Sequence, residues 1–332
     1  MLYYSCSMIY PSLERQSKLE NPPNEDDAER NVPTITRLVQ WAEGQPLVRA
    51  MLLTSTRAVP NAMGDVLSDY DVILALSDVR PFFEDRTWLE AFGTLLVLYR
   101  DPLETEGGYL KSGYVVQFDS GLKIDFTLVE TQYFASLHNA RQLPAELDAG
   151  YRLLLDKDGL AGGLQPPTYR AYIPAPPTET EYLEAIEVGL LDATYVAKYL
   201  WRDDLMAAKF VLDNFLKQEH LRPLLEWHYE IDHGWRVKPG PYGRQMKKWL
   251  RPDLWVDLES TYTGPGLEEN WDALFKTIAL LHKAGVEVGS RLGFAYPYEM
   301  EHRTLVYIQK VKDLEICVPS NPFSQSLPPA IS

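Results

Sequence analysis

The stretch DYDVILAL, Asp69 to Leu76, puts two carboxylates one residue apart at the head of an apolar, β-branched run. Such a run reads as a buried strand, and in a strand alternate side chains project from the same face. Asp69 and Asp71 therefore stand side by side, and two ionised carboxylates on one face repel each other unless a cation sits between them. A divalent metal supplies that cation, and Mg²⁺ favours one or two carboxylates plus phosphate oxygens of a substrate. A third acid, Asp125, interrupts a second strand-like segment, LKIDFTLV, between Ile124 and Phe126. Three strand-borne acids suggest one metal cluster. Taken singly, each has an ordinary reading: Asp69 as a cap after Ser68, Asp71 at a solvent edge, Asp125 facing water on an alternating strand.

The combination comes with a matching loop. LLTSTR reads as a strand ending in three hydroxyl residues, Thr54, Ser55 and Thr56, and Arg57. A strand, a small-residue turn, a spacer and a strand carrying D-x-D is the pattern of a nucleotidyltransferase site, in which turn amides and hydroxyls hold triphosphate oxygens. His228 and His233, in EWHYEIDHG, have neither HExxH spacing nor a cysteine companion and carry no metal expectation.

Positioning these residues calls for two different kinds of element. A helix is expected at TITRLVQWAE, then strands at VRAMLLT and DYDVILAL, a helix at RTWLEAFG and a strand at TLLVLYR. GYVVQF and LKIDFTLV flank DSG as a hairpin, and YRLLLD adds a last strand. After the Pro-rich PPTYRAYIPAPP, Thr178 and Glu181 have capping-box spacing, and helix-compatible segments follow at 179–201, 205–217, 223–231, 242–250, 267–292 and 298–311. The organisation expected is an N-terminal extension over 1–31, a mixed-sheet domain over 32–177, a helical domain over 178–314 and a tail over 315–332.

With 332 residues and 45% hydrophobic content, the chain can build two cores. Its net charge of −15, from 47 acidic and 32 basic residues, disfavours nucleic acid and anionic membranes as partners and attracts cationic small molecules. Cys6 and Cys317 offer neither a disulfide framework nor zinc spacing. The first residues lack the basic region and continuous apolar core of a signal peptide, and no run reaches the roughly 20 apolar residues of a membrane span. A cytoplasmic protein is expected, its oligomeric state left open.

MLLTSTRAVPNAMGDVLSDYDVIL, WLEAFG, GLKIDFTLV, YVAKYLWR and YEMEHRTLVYI, in that order, resemble the aminoglycoside 6-adenylyltransferase (streptomycin adenylyltransferase) family from about Val32 to Lys312. The resemblance implies an α+β fold, with a polymerase-β-like nucleotidyltransferase domain of small mixed sheet followed by a helical bundle. It also implies Mg²⁺-dependent transfer of AMP from ATP to a hydroxyl of an aminoglycoside. On that reading Asp69, Asp71 and Asp125 are the metal and catalytic acids, while Ser55, Thr56, Arg57 and Lys198 hold the nucleotide phosphates. Asp125 and Glu187 are alternative general bases, and Glu187, Asp192 and Tyr195 are candidate acceptor contacts. Two departures stand out: Ser55-Thr56 replaces the family's Gly-Ser, and EVGLLD replaces an acid followed by aromatics. A nucleotidyltransferase with another acceptor, and a non-catalytic nucleotide-binding member, are the alternatives.

Overall fold

The computed structural model describes residues 25–60, 64–138 and 140–315, in two units that meet in sequence between Ala171 and Tyr172. Cys6, Cys317 and the expectations for 1–24 and from 316 onward lie outside the described residues. The fold is mixed α and β, with one sheet in the first unit and helices throughout the second.

The first unit opens with α1 (Glu25–Gly44), which begins inside the stretch expected to be an extension and runs through Pro33. Charged residues suit either helix or linker, so composition did not place that boundary. Seven strands follow: β1 (Val48–Thr54), β2 (Tyr70–Leu76), β3 (Leu95–Arg100), β4 (Glu104–Glu106), β5 (Tyr109–Phe118), β6 (Lys123–Glu130) and β7 (Tyr151–Asp156). Their order is β3-β5-β6-β2-β1-β7, with β4 paired to β5. β2 and β6 run parallel, whereas the other neighbours are antiparallel. The RTWLEAFG helix is a 3-10 helix over Thr87–Phe92, preceded by the unexpected α2 (Arg80–Glu84). The hairpin across DSG forms as read.

Strand alternation divides the side chains between two cores. On one face Val72, Leu74, Ile124, Phe126 and Leu128 pack with Leu38 and Ala42 of α1 and with Phe82 and Phe92. Trp41 stacks on Trp88 there at 5.3 Å between ring centroids. On the other face Ile73, Ala75 and Val129 pack under Tyr133, Phe134 and Leu137 of α3 (Gln132–His138) and Leu147 of α4 (Ala145–Asp148). That second core includes the later residues of β2 and β6. Asp71 and Asp125, nearer their starts, fall outside it.

The second unit comprises α5 (Glu179–Trp201), α6 (Leu205–Phe210), α7 (Arg222–Asp232), α8 (Met246–Trp249), α9 (Pro252–Ser260), α10 (Leu267–Leu292) and α11 (Tyr298–Lys312). The Thr178–Glu181 capping box forms in both directions. Past α6 the chain continues as a π-helix over Val211–Leu221. The helix expected over 242–250 is broken, because Tyr242 and Gln245 adopt positive φ among Pro239, Gly240, Pro241 and Gly243. α5 and α10 pack closely where side chains are absent: a Cβ on Gly289 would stand 2.4 Å from the Tyr182 hydroxyl. That hydroxyl donates to the Gly285 carbonyl at 2.8 Å. Among the described residues no helix is long and apolar enough to cross a membrane.

Candidate functional site

Parallel pairing of β2 with β6 sets Asp71 directly opposite Asp125. Asp71 also pairs with Thr54 of β1, and Asp125 with Val115 of β5, so one row of residues crosses four strands. Asp69 precedes β2 on the same face as Asp71, and the three carboxylates expected to act together are gathered in one unit.

What compensates their charge is Lys123. Its Nζ donates to Asp69 Oδ2 at 2.6 Å and to both oxygens of Asp125 at 2.9 Å. Burial alone would lower this ammonium, but the hydrogen bonds to the two acids outweigh it and hold the group above the usual lysine range. The pairs remain partly exposed, at 28% for Lys123, 38% for Asp69 and 31% for Asp125, so solvent screens them. Asp71 has no such cation against it. Burial, then repulsion from Asp125 and Asp69, pushes its carboxyl up to about 6, with hydrogen bonding from Ser55 and the charge of Lys123 opposing. Lys123 was readable in the sequence, since a lysine two residues before Asp125 shares its strand face; attention to acids alone missed it.

The donor set is carboxylate oxygen throughout, the kind that hard divalent cations take. Asp71 is crowded by negative charge, and an ammonium already stands where a cation is needed. The residues therefore fit a divalent ion. Among the described residues no three His, Cys, Asp or Glu side chains form a metal-holding group as they stand, the space between Asp69 and Asp125 being taken by the Lys123 ammonium.

The turn after β1 holds Ser55 at φ 60° and ψ −152°. That is a region essentially reserved for glycine, costing another residue about 1–3 kcal/mol. Thr56 opens the 3-10 turn Thr56–Ala58 that follows. Arg57, expected as a phosphate ligand, is engaged by neighbouring loop carbonyls and a ring. Its guanidinium donates to the carbonyls of Ser68 at 2.6 Å and Asp69 at 3.0 Å, and lies 4.1 Å from the centre of the Tyr70 ring. Arg57 thus fastens the segment that delivers Asp69, because a fork of donors matches a cluster of loop carbonyls.

The remaining candidates lie on α5 of the second unit. Glu187 and Tyr195 are exposed. Lys198 is half-buried, its Nζ 5.0 Å from the centre of the Tyr195 ring. Asp192 is not presented as an acceptor contact: it is 7% exposed and paired with His220 Nε2 at 3.1 Å.

The family model for streptomycin adenylyltransferase matches residues 30–311. An aminoglycoside 6-adenylyltransferase of Bacillus subtilis (strain 168) is 29% identical over 265 residues, spanning 78% of this chain and 90% of the relative. One of Campylobacter jejuni is 26% identical over 281 residues, spanning 83% and 94%. The crystal structure of an aminoglycoside 6-adenyltransferase from Bacillus subtilis is similar with a TM-score of 0.42 and 24% identity, over 85% of this chain and 98% of that one.

Two substitutions test the electrostatics and the turn in the metal-free protein. An acid whose folded pKa is raised penalises the folded state in full above about 6, and the penalty fades as pH falls toward its ordinary 3.8. Asp71→Asn is therefore expected to stabilise the protein by about 1–3 kcal/mol at pH 7 and by only about 0.5 kcal/mol at pH 4. Urea unfolding at both pH values checks this; a gain that does not depend on pH contradicts the assignment. Ser55→Gly is expected to add about 1 kcal/mol by relieving the positive φ. Destabilisation in the same assay would mean that the Ser55 hydroxyl matters more to Asp71 than the strain costs.

Proposed function

This chain belongs to the streptomycin adenylyltransferase family and is an adenylyltransferase, and on that premise we propose that it transfers AMP from Mg²⁺-bound ATP to a hydroxyl of a cationic aminoglycoside such as streptomycin. The observation that carries this reading is the opposed pair Asp71 and Asp125, with Asp69 beside them and a cation already between two of the three.

Asp69, Asp71 and Asp125 would hold the divalent ion. When bound, that ion neutralises the triphosphate and stabilises the leaving pyrophosphate. Ionisation of Asp71 becomes favourable once a cation faces it, so the residue that is most crowded when metal-free contributes most to holding the ion. The Ser55–Thr56 turn, at the end of β1 next to Asp71, receives the β- and γ-phosphates. The acceptor hydroxyl attacks the α-phosphorus as the bond to the β-phosphate oxygen breaks, and its proton passes to a carboxylate within hydrogen-bond reach. Asp125 and Glu187 are the two candidate bases. A polymerase-β-like layout of the first unit accords with acids on adjacent strands beside a small-residue turn. Lys198 is the candidate on α5 for a nucleotide phosphate. The net charge of −15 supports a cationic acceptor.

Pyrophosphate release with Mg²⁺-ATP across a panel of aminoglycosides tests the proposal. Release is expected with at least one of them, and Asp71→Asn or Asp125→Asn should lower it by about 100-fold or more, as removal of a metal ligand does. Release with none of the panel would assign another acceptor. Undiminished release by a folded Asp71→Asn variant would remove the acids from the chemistry.

A further inference from the structure

We propose that Val97, Tyr99 and Val115, with the Asp101 carboxylate, form the surface on which a cationic ring of the acceptor rests while its hydroxyl is adenylylated; this rests on the adenylyl-transfer reading above.

The row that crosses the sheet does not end at Val115. β3 pairs with β5 so that Tyr99 stands opposite Val115 and Val97 opposite Gln117, continuing the line Thr54, Asp71, Asp125, Val115, Tyr99 on one face. Adjacent strands lie about 4.8 Å apart, which sets Tyr99 roughly 10 Å from Asp125. Leu98, Val116 and Phe118, on the other face, are packed into or against the core. A solvated face would call for polar residues between them. Instead Val97 is 62% exposed, Tyr99 61% and Val115 37%. Large apolar side chains clustered on an edge strand promote unwanted association unless something uses them.

The occupant follows from the direction of the reaction. In-line displacement brings the nucleophile in opposite the leaving group. With the pyrophosphate toward the turn at the end of β1, the acceptor enters from the β5 and β3 side, where this surface lies. Its charge suits a cation. Gly113, two residues before Val115, shares its face, and a Cβ there would stand 2.6 Å from Asp101 Oδ2. The carboxylate therefore rests over Gly113, exposed to solvent. The Asp101 amide donates to the Gly113 carbonyl at 2.9 Å and Ser112 Oγ donates to the Asp101 carbonyl at 3.0 Å, which fix its backbone. An amino- or guanidino-bearing sugar or cyclitol ring presents an apolar face to Tyr99 and its cation to Asp101 and the ring's π face.

The test is steady-state kinetics with streptomycin and Mg²⁺-ATP for the wild type, Tyr99→Ala, Tyr99→Phe and Asp101→Asn, each checked for folding by thermal melt. Tyr99→Ala is expected to raise the streptomycin KM about ten-fold, with the ATP KM unchanged and Tyr99→Phe close to wild type. Asp101→Asn should raise the streptomycin KM about five-fold at low salt and weaken its salt dependence. If Tyr99→Ala melts early, Asp101→Asn decides. A rise in the ATP KM instead would make this surface a nucleobase platform and overturn the proposal, as would unchanged constants in an active enzyme. A wild type that transfers to no aminoglycoside would fail the underlying reading and the proposal with it, an outcome distinct from active but insensitive variants.

Discussion

Three carboxylates gathered on one sheet face repel one another unless a positive charge stands among them, and the architecture of the first unit turns on that requirement. Lys123 meets it for Asp69 and Asp125, and Asp71 is left with a carboxyl pushed up to about 6. Partly exposed pairs of this kind add little to stability, since solvent screens them. A crowded acid in such a cluster is a candidate functional group, suited by its charge to a cation of higher charge than an ammonium.

The surrounding fold arranges this crowding in stages. The parallel pairing of β2 and β6 brings Asp71 and Asp125 together, although 53 residues of other structure separate them in the chain. Packing of α3 and α4 over Ile73, Ala75 and Val129 anchors those two strands next to the acids. Arg57 ties the loop before β2 to the turn after β1 through the Ser68 and Asp69 carbonyls. Ser55 holds a glycine-like conformation in that turn, so local strain lies beside the carboxylate that is hardest to ionise.

Much of this was legible in the sequence because it follows from periodicity. Asp69 and Asp71 share a face by the two-residue repeat, and the start of α5 was marked by the Thr178–Glu181 capping box. Strand order was not legible, because pairing between distant segments leaves no local mark; the Asp71–Asp125 register and the row continuing to Tyr99 emerge only from the sheet. Arg57 has the right chemistry for a phosphate, and no spacing rule reveals that its guanidinium also meets the Ser68 and Asp69 carbonyls. Asp192 was expected as an acceptor contact on α5. Its partner His220 comes from the π-helix, whose geometry shifts side chains away from the ordinary 3.6-residue faces. The apolar character of β3 is visible in the run LLVLYR, but a strand pattern of this kind does not show which face lacks a partner.

The most direct measurement is anomalous diffraction from crystals grown with Mn²⁺ and a non-hydrolysable ATP analogue. Manganese bound by Asp69, Asp71 and Asp125, with the Lys123 ammonium displaced from between Asp69 and Asp125, is the predicted result. Manganese bound elsewhere, with Lys123 still bridging the two acids beside the nucleotide, would contradict the role assigned to this carboxylate row.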